Sequence, residues 1–217
     1  MRYDYALFDL DGTLTESAPG ILNSVRYALR KFGIEEKDDK KLKRFIGPPL
    51  VDGFSEICGF SHDDAVLATK YYREYYGDQG LFENILYEGV EDMLQRLRGV
   101  GVTLMVATSK PERFCNLILE HFGILEHFSF VAAALMSEQR AKKDEVIKYL
   151  LDSCRFEDRS RVVMVGDRCY DILGAAKFSL DSIGVTYGYG SEEELKTAGA
   201  TYIAETTGDV VNIITEE

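Results

Sequence analysis

Two aspartates, Asp9 and Asp11, come directly after the apolar run Tyr5-Ala6-Leu7-Phe8, and Gly12 follows at once. The run is short, continuous and aromatic, which suits a buried strand of a parallel sheet better than one face of a helix. Side chains two apart on an extended backbone leave the same face, so both carboxylates would stand together where the strand ends and Gly12 turns the chain. The carboxyl ends of parallel strands are where open α/β sheets place ligands, and two converging carboxylates repel unless a cation or a shared proton relieves them. A hard divalent ion such as Mg2+ would do so. The competing reading is a plain polar turn, since Asp-Gly is a common turn pair.

Three later stretches have the same character. In Ala107-Thr108-Ser109-Lys110-Pro111 a hydroxyl and backbone N–H groups at a strand end could hold a phosphate oxygen, although Thr and Ser also cap helices routinely. Lys142 and Lys143 precede a helix expected from Asp144, where a cation opposes the helix dipole. Either they form a solvated charge run, or one ammonium is placed there to offset a carboxylate nucleophile and a phosphate. Val165-Gly166-Asp167-Arg168-Cys169-Tyr170-Asp171 again runs from apolar strand to glycine to acid, and Asp167 and Asp171, four apart, could bring one carboxylate to a metal and another nearby.

The elements that must position these residues follow from periodicity. From about Ser17 to Gly80 the texture is helical: 21–32 with Ile21, Val25, Ala28, Leu29 and Phe32 inward, then 51–58 and 63–76, with 37–44 as a charged, solvated stretch and a rigid bend at Gly47-Pro48-Pro49. Tyr71, Tyr72, Tyr75 and Tyr76 read as a packed helical face rather than a platform for stacking bases. After Gly89 helices (90–100, 112–122, 144–153, 171–178) alternate with strands (102–107, 130–135, 162–165, 181–185, 202–204). Such alternation implies a mainly parallel sheet with right-handed crossovers. One strand precedes the helical segment and the others follow it, so the helices form an insertion beside the paired carboxylates, a position suited to a lid. The expected division is an α/β core of residues 1–16 and 81–217 and a helical domain of 17–80.

Composition narrows the function. The chain has 217 residues and a formal charge of -12, which argues against nucleic acid and anionic membranes as partners, because both demand clustered Lys and Arg. No apolar run approaches the roughly 18 residues of a membrane span, and the charged start leads into a strand rather than a signal peptide. A cytoplasmic protein is expected. Cys58, Cys115, Cys154 and Cys169 show neither CxxC nor metal-type spacing and read as reduced structural thiols.

The order DxDGT, Thr/Ser at a strand end, lysine and GDxxxD, running from Asp9 to Asp171, resembles the haloacid dehalogenase superfamily, most of whose members are phosphatases. The helical insertion is similar to the type I cap subclass, and Phe45-Ile46-Gly47-Pro48-Pro49-Leu50 with the tail 182–190 resembles the phosphoglycolate phosphatase and 5'-nucleotidase-like branch. The resemblance implies a Rossmann-like parallel sheet with an inserted helical-bundle cap. It implies Asp9 as nucleophile, forming an aspartyl-phosphate, and Asp11 as general acid and base. Mg2+ would be held by Asp9, the carbonyl of Asp11 and Asp167, with Asp171 in support. Thr108, the N–H of Ser109 and Lys143 would hold the phosphoryl group, Lys143 being preferred to Lys142 for its spacing to Val146 and Ile147.

The expected activity is therefore Mg2+-dependent hydrolysis of a small phosphomonoester, phosphoglycolate-like, with a 5'-nucleotidase-type substrate or a sugar-phosphate mutase as alternatives on the same fold. A dehalogenase would have no use for Asp11 or a metal. Phosphonate cleavage would require a lid lysine such as Lys40, Lys41 or Lys43 to form an imine. A receiver-like switch leaves Asp11 and the inserted lid without a role. Substrate choice would fall to the insertion, where Arg44 beside the Gly47-Pro48-Pro49 bend suits a carboxylate or second phosphate on the leaving group, unless it is a solvated residue of a helix turn.

Overall fold

The computed structural model describes residues 1–137 and 140–216. Contacts divide the chain into two compact units, Met1–Thr15 with Leu86–Glu217, and Glu16–Ile85. The first begins with β1 (Tyr5–Phe8), and the chain leaves it through β2 (Thr15–Glu16). The helical unit holds α1 (Ala18–Lys31), α2 (Asp39–Lys43), α3 (Leu50–Cys58), α4 (His62–Tyr75) and a wide turn at Tyr76–Gly80. The chain returns through β3 (Ile85–Leu86), which pairs with β2. It then alternates through α5 (Val90–Gly99), β4 (Thr103–Pro111), α6 (Glu112–His121), β5 (Phe128–Ala134), α7 (Lys143–Ser153) and β6 (Val162–Gly166). α8 (Cys169–Ala176), β7 (Asp181–Val185), α9 (Glu192–Thr197), β8 (Tyr202–Ala204) and α10 (Thr207–Thr215) complete it.

Six strands form one sheet in the order β5-β4-β1-β6-β7-β8, with every pair parallel. β1 lies between β4 and β6, with Phe8 level with Val106 on one side and Val165 on the other. Burial on both faces explains the unbroken apolar sequence of β1 and of Val162–Gly166. On one face Leu7, Met105 and Met164 pack with Val146, Ile147, Leu150 and Leu151 of α7. After β1 the chain builds outward through β4 and β5 and then through β6, β7 and β8 on the other side. The carboxyl end of β1 is thus a topological switch point, where such sheets open a crevice.

Several boundaries differ from the sequence reading. β4 does not stop at Ala107 but continues to Pro111, with a register slip against β5 between Thr108 and Pro111 that keeps the intervening residues extended. α8 begins at Cys169, so Asp171 lies in its first turn and its carboxylate accepts the Arg168 amide at 3.0 Å, as an N-terminal cap does. Part of the supposedly solvated 37–44 stretch is the helix α2, because Asp38 caps the Lys40 amide at 2.9 Å and Leu42 is fully buried. The short helices α9 and α10 and the β2/β3 ribbon escape the periodicity reading; α9, for instance, buries Leu195 alone.

In the helical unit, Phe45, Phe54, Phe60, Phe32 and Tyr71 form a chain of ring contacts, and buried Tyr72 and Tyr76 stack at 5.4 Å between centroids. Residues 81–85 belong to this unit, not to the core: Glu83 accepts from the Gly20 amide, Asn23 and Tyr75. A Cβ on Gly20 would meet the Gly80 carbonyl oxygen at 1.9 Å, so only glycine lets α1 approach the turn that closely. Arg44 ends α2 and is exposed. Among the described residues no helix is long and apolar enough to cross a membrane.

Candidate active site

Asp9 leaves β1 with its amide bonded to the Val165 carbonyl at 2.9 Å, which keeps the backbone in the sheet for one residue beyond the strand. Its Oδ1 accepts the Leu10 amide at 2.8 Å and lies 2.8 Å from Lys143 Nζ. Beyond it the chain closes on itself, with the Leu14 and Thr15 amides donating to the Leu10 carbonyl. Gly12 has φ +83, and a Cβ there would meet Asp167 Oδ2 at 2.1 Å. The glycine is required for the turn and for the approach of Asp167 together.

Lys143 opens α7, and Lys142 before it is exposed. The buried ammonium of Lys143 reaches Asp9, Asp171 Oδ1 at 2.8 Å and the Ala107 carbonyl at 2.9 Å. Asp144 and Glu145 in the first turn satisfy the helix dipole that Lys143 opposes. Burial disfavours the ammonium, but Asp171 and Asp9 outweigh it and raise its pKa. Burial, reinforced by Asp9, pushes the Asp171 carboxyl up to about 6 although Lys143 pulls it down. α8 crosses close above the lysine stem, since a Cβ on Gly174 would stand 2.9 Å from Lys143 Cγ.

Asp167 follows β6 and is fully buried. Its Oδ2 accepts the Tyr189 amide at 2.8 Å, while Oδ1 is buried with no hydrogen-bond partner. The loop after β7 is shaped around it: Cβ atoms on Gly188 and Gly190 would meet Asp167 Cβ at 2.4 Å and the Asp167 carbonyl oxygen at 2.0 Å. Tyr187 donates to the Thr13 carbonyl at 3.2 Å and ties this loop to the turn after β1. Burial first, then the neighbouring Asp171 and Asp9, raise the Asp167 pKa well above the ordinary carboxylate value.

These residues fit a divalent cation. Asp9, Asp167 and Asp171 each offer an oxygen within 4.8 Å of the others, and the orphaned Asp167 Oδ1 lacks the partner a metal would supply. Carboxylate oxygens are the ligands a hard dication takes, and such an ion would relieve the crowding of Asp9, Asp167 and Asp171.

Asp11 takes a different partner. Both of its oxygens accept from Lys110 Nζ, at 2.7 and 3.0 Å. Thr108, almost fully buried, accepts the Lys110 amide on its Oγ1 at 3.2 Å, and Ser109 between them is half-buried. The structure therefore gathers Asp9, Asp11, Lys143, Asp167 and Asp171 at the ends of β1 and β6, and puts Thr108 and Ser109 in the last extended residues of β4. Arg44 lies in the other unit. Sequence reasoning passed over Lys110, although its i, i+2 relation to Thr108 on a strand was a usable signal. It also read the loop 187–190 for resemblance alone.

Residues 6–185 match the family model described as haloacid dehalogenase-like hydrolase. A protein named 5'-nucleotidase from Pseudomonas aeruginosa is 43% identical over 202 residues, covering 93% of this chain and 91% of its own. One named tyrosine-protein kinase PtkA, from Mycobacterium tuberculosis, is 38% identical over 198 residues, 91% of this chain and 67% of its own. A crystal structure of a predicted phosphatase from Clostridium acetobutylicum superposes with a TM-score of 0.95 at 45% identity over 100% of both chains.

Proposed function

Because this chain belongs to the haloacid dehalogenase-like hydrolase family and is a phosphoric monoester hydrolase, we propose that it is a Mg2+-dependent phosphatase working through an aspartyl-phosphate on Asp9. The observation that carries the reading is the setting of Asp9, fixed through Oδ1 by the Leu10 amide and Lys143 and grouped with Asp167, whose Oδ1 is bare.

The other oxygen of Asp9 attacks phosphorus as the bond to the leaving oxygen breaks, and Asp11 gives that oxygen its proton. Asp11, now ionised, takes a proton from water, whose oxygen forms the new bond to phosphorus while the bond to Asp9 breaks. Phosphate leaves and both aspartates return to their starting states. Lys143, the Thr108 hydroxyl and the Ser109 amide stabilise the phosphoryl oxygens, which is most of what phosphoryl transfer asks of a protein. Mg2+, held by Asp9, Asp167 and the carbonyl of Asp11 with Asp171 behind, would neutralise charge on the transferring group.

For the substrate, phosphoglycolate and a nucleoside 5'-monophosphate are the esters to compare, and the similarity to the Pseudomonas protein named 5'-nucleotidase favours the second. The test is a panel of both, with sugar phosphates and an aryl phosphate, assayed for inorganic phosphate with and without Mg2+. Asp9→Asn is expected to fold and to lose turnover by several orders of magnitude. Parent-like turnover in folded Asp9→Asn removes the nucleophile, activity surviving chelation removes the metal, and phosphate passed to an acceptor without release points to a mutase or kinase-type transfer.

A further inference from the structure

The turn that carries Asp167 and Asp171 is tied down by a residue far along the chain that the scheme above leaves unused. Glu194 lies in the first turn of α9, where the Ser191 hydroxyl accepts its amide at 3.1 Å. Its Oε1 accepts two donors at once, the Cys169 amide and Arg168 Nε, each at 2.9 Å. The contact is sheltered, with 21% of the arginine side chain and 28% of the glutamate exposed. Cys169 opens α8, and its amide is one of the donors that a helix start leaves without a partner in the helix; Asp171 takes the Arg168 amide in the same turn. The Arg168 stem also passes the glycine loop, its Cδ 3.5 Å from where a Cβ on Gly190 would stand. Asp167 is thereby held twice from the segment after β7, through Oδ2 by the Tyr189 amide and through the two residues that follow it by Glu194.

We propose that Glu194 is a positioning residue that makes the metal site selective for Mg2+ over Ca2+. The inference rests on the Mg2+ reading above and deepens it. Asp9, Asp167 and Asp171 bring three carboxylates within 4.8 Å of one another, and crowded acids spread apart wherever the backbone lets them. Asp9 is fixed by the sheet through its amide. Asp167 and Asp171 lie beyond the end of β6, on a turn whose shape depends on how α8 starts. Mg2+ demands a small, near-octahedral set of oxygens, whereas Ca2+ takes more ligands at longer distances and tolerates irregular geometry. A turn clipped by Glu194 keeps the narrow set; a turn released from it opens toward the wider one. Glu194 stands outside the trio and acts through Arg168 and the Cys169 amide.

The experiment is calorimetric titration of the metal-free protein with Mg2+ and, separately, with Ca2+, in the parent, Glu194→Ala and Glu194→Gln, with the Tm of each in chelator to check folding. Glu194→Ala is expected to weaken Mg2+ binding about tenfold to a hundredfold, the range for a group that orients a metal ligand, and Ca2+ binding by about threefold or less. Glu194→Gln keeps an oxygen for both donors and recovers most of the preference for Mg2+. Should Glu194→Ala fail to fold, Arg168→Met cuts the tie from the other side, leaves Glu194 on the Cys169 amide, and is expected to lower the Mg2+ preference by a smaller factor. Equal losses for the two ions, a loss for Ca2+ alone, or unchanged affinities overturn the proposal while leaving the phosphatase reading intact. A fall in Glu194→Gln as large as in Glu194→Ala makes charge the cause and overturns it too. A parent that binds no Mg2+ overturns the metal reading along with the proposal.

Discussion

Asp167 offers its two oxygens to different purposes: the Tyr189 amide holds Oδ2 at 2.8 Å, and Oδ1 is left buried without a hydrogen-bond partner. Asp171, by contrast, is already paired with Lys143 at 2.8 Å. Asp167→Ala is therefore expected to weaken Mg2+ binding more than Asp171→Ala does, by tenfold or more, read by calorimetric titration. In metal-free protein Asp167→Asn should raise Tm more at alkaline than at acid pH, since only the ionised Asp167 is a buried charge beside Asp9 and Asp171. Equal Mg2+ affinity in the two alanine variants counts against Asp167 as the principal ligand.

The raised carboxyl pKa values give a pH dependence of definite sign. Asp171, pushed up to about 6, binds its proton more tightly in the folded chain than in the unfolded one, and Asp167 is shifted the same way. Their contribution to metal-free stability is present at low pH and is lost as pH rises from about 4, the unfolded value, through about 6, the folded value for Asp171. Mg2+ bound as proposed would displace those protons, so the rise in Tm on adding Mg2+ is expected to be larger at pH 7 than at pH 5. A Mg2+ shift independent of pH places the ion elsewhere.

Gly174 lets α8 cross above Lys143, with a Cβ there 2.9 Å from Lys143 Cγ and 3.2 Å from Ile147 Cδ1. Gly174→Ala is expected to cost about 1–3 kcal/mol through overpacking, measured by denaturant unfolding. Because the part that gives way is the lysine stem, inhibition by inorganic phosphate should weaken as well. A loss of stability with phosphate affinity intact means that Lys143 keeps its place and α8 moves instead.

Arg44 stands exposed at the end of α2. Its forked donors suit a carboxylate or a second phosphate on the leaving group. Arg44→Ala is expected to lower kcat/KM for phosphoglycolate about tenfold, while a neutral aryl phosphate is hydrolysed as before. Equal effects on the two esters, or none, make it an ordinary surface residue of a helix end.

The sequence by itself determined what is local. The run Tyr5–Phe8 ending in Asp9, Asp11 and Gly12, and the run into Gly166 and Asp167, are legible because strand burial and chain reversal act over a few residues. The alternation after Gly89 likewise fixed an α/β sheet, since a parallel pair cannot form without a crossover. Only the tertiary structure decided which charges meet. Lys143 rather than Lys142 faces Asp9 because α7 packs Val146, Ile147 and Leu150 on the sheet, which sets the rotation of its first turn. Lys110 finds Asp11, and the Tyr189 amide finds Asp167, through strand register and the order of β4, β1, β6 and β7 across the sheet. Those contacts join residues far apart in the chain, and no pattern along the backbone records the distance between two strand ends until the strands are laid side by side.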